Sequence, residues 1–303
     1  MNYNDFILKV KKTIEERVKD DRVQVELQSI VKPNDMKYEA IIISKDSKIC
    51  APAVYLEDFY DMFLNGAAVE EIADFILDFN EKCRSVPQME YFDYYNWEDI
   101  KDTVTARVLN YAANEEYLKG AVYERYLDLA IVFYNTIINE SRDVFSSKIS
   151  VEQLENWGLS REYLQRTAMD NTKRLFGVYI QEVSEVFKDM LGREGQMNDP
   201  EIMNALDDSE RAPMYVVSNT ARCHGSVVMF MNDVLEGIAD NLEDDLYIIP
   251  SSIHEVMAIP VHARLKKDDV DDMIRDINLN LLEPQDILAN HVYIYSREMK
   301  KII

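Results

Sequence analysis

The four histidines of this 303-residue chain, His224, His254, His262 and His291, all fall in its last 80 residues, beside Cys223 and Glu255. Imidazole, thiolate and carboxylate together are the donors of a transition-metal site, which makes His224, His254 and His262 the weak metal candidates. The nearest approach to a zinc motif is His254-Glu255, but Ala258 stands where a second histidine is needed. The segment also reads as strand, without the one-face helical spacing that motif requires, so no metal and no other cofactor is expected. A different chemistry is open to Ser251, Ser252, His254 and Glu255 in the segment Pro250 to Glu255. A hydroxyl becomes a nucleophile when a base oriented by a third group lies within hydrogen-bond reach. In that reading Ser251 or Ser252 attacks or holds substrate, His254 moves the proton, and Glu255 or Asn219 orients it. Strand alternation would put His254 and Glu255 on opposite faces, which works against a relay between them. The competing reading is a turn at Pro250-Ser251-Ser252 whose hydroxyls satisfy backbone groups, with His254 adding one more bond. Catalysis gains if His254 faces a cleft with Asn219, Ser252 or another histidine, and loses if its ring is buried and bonded to backbone.

Other chemistry is set aside quickly. The chain has eight glycines and neither a GxGxxG nor a Walker A phosphate loop nor a GxSxG elbow. Ser29 and Lys32 fit SxxK but lie in a strand running into Pro33, where no helix opens. Acid pairs such as Asp207-Asp208 and Asp271-Asp272 are expected by chance among 56 acids. The aromatic run Tyr91, Phe92, Tyr94, Tyr95 and Trp97 has no interleaved Lys or Arg and reads as packing rather than a base-stacking platform.

Charge narrows the partners. Against 56 Asp and Glu stand 33 Lys and Arg, a net of −23, and residues 1–50 are nearly balanced, so the remainder carries the excess. Such a surface excludes a grip on nucleic-acid backbone and docking on an anionic membrane. Three cysteines, Cys50, Cys83 and Cys223, are an odd set with no CxxC spacing, as in a reducing compartment. Asp5 and the short apolar stretch Phe6–Leu8 do not make a signal peptide, and no window reads as a membrane span, so a soluble cytoplasmic protein is expected.

The elements that must position these residues are legible from periodicity. Phe6, Val10, Ile14 and Val18 define an amphipathic helix. Val23, Val25 and Leu27 alternate with polar residues, Pro33-Asn34-Asp35 supplies a turn, and Tyr38 to Ser44 returns as an antiparallel strand. A short strand at Val54–Leu56 and helices over 57–65 and 69–84, parted by Asn65-Gly66, complete an N-terminal α+β domain of residues 1–90. Residues 91–303 form the second, with an exposed linker near 192–212. There Asp99–Tyr111 reads helical, Leu127–Ile138 is a central buried strand, and Val144–Ile149 is its partner. Ser150, with Gln153, caps one helix, Ser160 caps another through Met169, and Val178–Leu191 continues helical. Strands follow at Tyr215–Val217, Asp245–Ile249 and Ile253–Ile259, with helices over 225–241 and 268–279 and a terminal strand at His291–Tyr295. The fold class is α+β, antiparallel sheets with packed helices.

Several blocks carry a family likeness: Tyr123 to Tyr134 (YERYLDLAIVFY), Leu154 to Leu164 (LENWGLSREYL), Pro213 to Asn219 (PMYVVSN) and above all Asp245 to Pro260 (DLYIIPSSIHEVMAIP). With these and Tyr55 to Phe63 (YLEDFYDMF), the chain resembles a bacterial family of unknown function, DUF5688, common in anaerobic Firmicutes. The order of elements is more distantly similar to the YtpQ-like family. The resemblance implies a Gram-positive cytoplasmic protein and brings no reaction with it. Family members often read Gly-Ala where this chain has Cys223-His224-Gly225-Ser226.

The leading expectation from sequence is a non-catalytic module that binds a protein partner, since no complete catalytic motif is present and Tyr and Met are abundant. The rival is a hydrolase built on the 215–262 segment. A third reading, an acidic mimic of nucleic acid, requires a negative stripe on one face.

Overall fold

The computed structural model describes residues 1–45, 51–84, 93–138, 144–186, 188, 212–263 and 265–303. Cys50, Tyr91, Phe92 and the expected linker, apart from Ala212, lie outside these residues. The chain groups into two compact units, residues 1–100 with 137–145, and residues 101–136 with 146–303.

In the first unit, helix α1 (Tyr3–Arg17) starts where the Asn2 side chain accepts the Asp5 N–H at 2.9 Å. Of the stripe spaced every four residues, Phe6, Val10 and Ile14 are wholly buried, and Val18, the C-cap, is half-buried. Strands β1 (Val23–Val31), β2 (Lys37–Lys45) and β3 (Ala53–Tyr55) form an antiparallel sheet in that order. Helices α2 (Glu57–Leu64) and α3 (Val69–Arg84) follow, with Asn65 as C-cap and Gly66 at φ 103°, a conformation glycine adopts without strain. The expected helix, hairpin, strand and helix pair of this unit all form.

After a short helix α4 (Trp97–Ile100), the second unit holds two sheets. The first has β6 (Leu129–Ile138) at its centre, buried along nearly its full length as its apolar run requires. Strand β4 (Val104–Asn110) lies on one side of β6, and β5 (Tyr123–Tyr126) and β7 (Val144–Lys148) also pair with it. The helix expected over 99–111 is therefore replaced by α4 and β4. Val104, Thr105 and Val108 are β-branched, and a buried β6 leaves backbone groups that a neighbouring strand satisfies. Ser150 and Gln153 make the expected capping box on α5 (Val151–Trp157), and Ser160 caps α6 (Arg161–Phe176).

The helix expected over 178–191 is also displaced. Gly177, at φ 65°, ends α6, and β8 (Tyr179–Glu182) pairs with β9 (Tyr215–Ser218) before helical backbone resumes at 183–186. The second sheet runs β13-β12-β10-β11-β9-β8, with β10 (Leu246–Ile249), β11 (Val256–Pro260), β12 (Tyr293–Ser296) and β13 (Lys301–Ile302). Strand β12 is thus not terminal. Of the helix expected over 225–241, Gly225–Phe230 is a 3-10 segment and α7 (Asn232–Leu242) the helix proper. Helix α8 (Lys267–Asn280) follows β11. The pairings within the β1-β2-β3, β4-β6-β5 and β13-β12-β10-β11-β9-β8 orders are antiparallel, and the fold is α+β. Among the described residues no helix is long and apolar enough to cross a membrane.

Candidate functional site

The strand expected over 253–259 begins only at Val256, and residues 250–255 are a turn. Two bonds close it: Ser252 N–H donates to Glu255 O at 3.1 Å, and His254 N–H to Ser252 Oγ at 3.0 Å. The alternation that would separate His254 from Glu255 therefore does not operate. Ser251 gives its backbone N–H to Ile249 O at 2.9 Å, and Ser252 is buried. The Ser252 hydroxyl thus satisfies a backbone group, as the turn reading expects of it.

Facing this turn is the loop after β9. Ser218 and Ser226, both fully buried, donate their hydroxyls to His254 O at 2.7 Å and Ile253 O at 2.6 Å. Between them Gly225 sits so close that a Cβ would overlap Ser218 Oγ and come within 2.5 Å of Asn219 N and 2.7 Å of His254 O. No other residue fits there. Ile253 N–H reaches Asp286 O at 2.8 Å, which ties in the Pro284–Asp286 turn after α8.

This cross-tied frame presents Cys223. Asn219, buried, grips it from both sides: Oδ1 accepts the Cys223 N–H at 3.3 Å and Nδ2 donates to Cys223 O at 2.8 Å. The flanking residues Arg222 and His224 both lie in the left-handed region, at φ 50° and 51°. Non-glycine residues held so cost on the order of 1 kcal/mol each and cluster where function demands them. Cys223 itself is exposed.

His254 stands against the thiol. Its Nδ1 accepts the His224 N–H at 3.1 Å, and its Nε2 is 3.3 Å from Asp286 Oδ1. That pattern assigns the neutral ring's proton to Nε2 and turns the Nδ1 edge toward the Cys223 segment. The hydrogen bond to His254 holds the Cys223 thiol below its usual pKa, against burial, with Arg107 adding a favourable charge and Asp286 an opposing one. The same bond raises His254 above the ordinary imidazole value, against burial, with help from the Asp286 carboxylate. The ring is one-third exposed, at 33%. The ring is thus bonded to backbone on one edge without being buried, and it lies beside another histidine, His224. At the rim, Arg222 lies over the Tyr179 ring at 4.1 Å and 3.5 Å from Glu255 Oε2.

Of the sequence candidates, Asn219, Ser252, His254 and Glu255 come together here, with Ser251 on the same turn. The metal candidates do not converge. His224 and His254 approach to 5.5 Å between ring centroids, whereas His262, at the other end of β11, is held by Asp244 at 2.6 Å. Among the described residues no group of three His, Cys, Asp or Glu could hold a metal. Sequence reasoning passed over Cys223 as nucleophile and Asp286 altogether. A single cysteine beside a histidine, straight after a strand, was the available signal for the first, while Pro284-Gln285-Asp286 offered none for the second.

The fold is α+β, and its loops gather the Cys223 segment, the His254 ring and the Asp286 carboxylate. The chain belongs to the family of unknown function DUF5688, whose match spans residues 3–297. Among curated proteins and among solved structures, nothing matches the chain.

Proposed function

We propose that this protein is a cysteine-dependent enzyme of the hydrolase or acyl-transfer class, with Cys223 as nucleophile, His254 as proton carrier and Asp286 as the group that orients it. The observation that carries the reading is His254, placed between the Cys223 segment at Nδ1 and the Asp286 carboxylate at Nε2. The thiol proton passes to Nδ1, which exchanges its bond to the His224 N–H for it. Sulfur then bonds to the acyl carbon, the leaving group departs with the proton, and water releases the acid and restores the thiol. A reducing compartment keeps such a thiol free, and with the odd, sparse set of cysteines the reading goes with a cytoplasmic protein. An activated aryl ester tests it: the full chain should give a stoichiometric burst and a thioester mapped to Cys223, and Cys223→Ser should give neither. A burst that survives Cys223→Ser overturns the assignment.

A second reading, binding of a protein partner, is favoured by α8. Met273, Ile277 and Leu281 form a stripe lining a shallow groove whose other walls include Asp269, Asp272 and Asp276. Met273 and Leu281 are exposed at 42% and 78%. An apolar groove edged by acids fits a basic amphipathic helix. A labelled Lys/Leu-rich helical peptide should bind, and Met273→Ser with Leu281→Ser should abolish binding; equal binding by the double variant counts against it.

A further inference from the structure

Arg222 is the residue whose place at this site is not explained by the reaction just described. Its backbone is in a conformation arginine rarely adopts, at φ 50°, and its N–H donates to Asn219 O at 3.1 Å. That turn carries the guanidinium to the rim immediately before Cys223, with the Tyr179 ring beneath it at 4.1 Å. The planar cation is thereby held by an aromatic face, which leaves its edge for hydrogen bonding. One nitrogen, Nη1, is 3.5 Å from Glu255 Oε2, a long single contact rather than a fork on both oxygens. The side chain keeps 41% of its surface in solvent. A guanidinium so placed, one residue before Cys223 in the chain, has donors to spare. Another, Arg107, sits over Tyr134 at 4.3 Å with Nη2 bonded to Ser146 Oγ at 2.7 Å, and it is the arginine whose charge favours the Cys223 thiolate.

We infer that Arg222 is a specificity-determining residue that takes a carboxylate on the substrate, so that the acceptor of Cys223 is a carboxylate-bearing acyl compound. This rests on the thiol reading above. A carboxylate fits better than a dianionic phosphate, because Glu255 and Asp286 flank the same rim and the net charge of −23 repels a second negative charge. On binding, the substrate carboxylate replaces Glu255 as the partner of the fork, in the bidentate geometry that arginine favours.

Alkylation of Cys223 by a matched pair of reagents tests both layers separately. Iodoacetate carries a carboxylate next to its reactive carbon, and iodoacetamide is its neutral counterpart. The rate at Cys223, followed by peptide mass in the folded full chain, should favour iodoacetate. Arg222→Gln should lower the iodoacetate-to-iodoacetamide ratio about 10-fold, equivalent to about 1.4 kcal/mol. Glu255→Gln, which frees the guanidinium, should raise the ratio, and added salt should lower it in the parent chain. A ratio unmoved by both substitutions overturns the inference while leaving the thiol reading intact. Slow reaction with both reagents in the parent chain overturns the two together.

Discussion

Two histidine–aspartate pairs in the same unit, His254 with Asp286 and His291 with Asp128, look alike at first contact and differ in what surrounds them. Their N···O distances are 3.3 and 3.1 Å, and the rings are 33% and 40% exposed. His291, however, has Nδ1 3.2 Å from Val292 O, and Tyr293 OH donates to the same Asp128 at 2.9 Å. His291 Nε2 and Tyr293 OH both meet Asp128, between β5 and β6, so the cluster ties β12 to that hairpin. His254 instead turns Nδ1 toward a loop bearing a thiol. A carboxylate fixes a ring; what the other nitrogen meets decides whether the ring can do chemistry. The pair His262–Asp244, with the ring 67% exposed and no nucleophile described beside it, makes the same point from the surface.

The comparison can be broken on either side. The largest effect is expected from Gly225→Ala, which forces a Cβ against Asn219 N and His254 O and should cost about 3 kcal/mol in urea unfolding. By contrast Gly237→Ala, on α7 with open space around it, should stabilise by about 0.5 kcal/mol. On the His291 side, Asp271→Asn is the corresponding lesion. Burial alone would raise Asp271, but the Val292 N–H at 2.7 Å and Lys267 Nζ at 2.9 Å hold it below the ordinary carboxylate value. A carboxylate lowered on folding contributes stability above its unfolded pKa of about 3.9 and loses it as pH falls through the folded value. Asp271→Asn should therefore cost about 2 kcal/mol at pH 7, and the gap to the parent should close in acid. Tyr293→Phe, which removes only the bond to Asp128, should cost about 1 kcal/mol in the same urea assay and leave Cys223 alkylation as it was.

How far the sequence reaches is seen in these two clusters. Local patterns carried the first unit: four-residue spacing in α1, alternation in β1 and the Asn65-Gly66 stop all act between near neighbours. Two helices were misread where tertiary pairing outweighs propensity, at β4 against β6 and at β8 against β9. The turn Pro250–Glu255 stood out because Pro, Ser and His crowd one short stretch. The nucleophile did not, because His254 comes 31 residues after Cys223 and only the cross-ties from Ser218, Gly225 and Ser226 bring them together. Asp286 is a still longer step, positioned by its own carbonyl on Ile253 N–H rather than by any motif.

The central claim is that His254, and not merely its carboxylate partner, activates Cys223. The most direct measurement is the pH dependence of Cys223 alkylation by iodoacetamide in the parent chain, in His254→Asn and in His291→Asn. The parent and His291→Asn should share a midpoint below the value of about 8.5 found for a free cysteine, and His254→Asn should return to it, with a rate at pH 7 about 10-fold lower. A midpoint near that of a free thiol in the parent chain, or one that His254→Asn leaves in place, would contradict it.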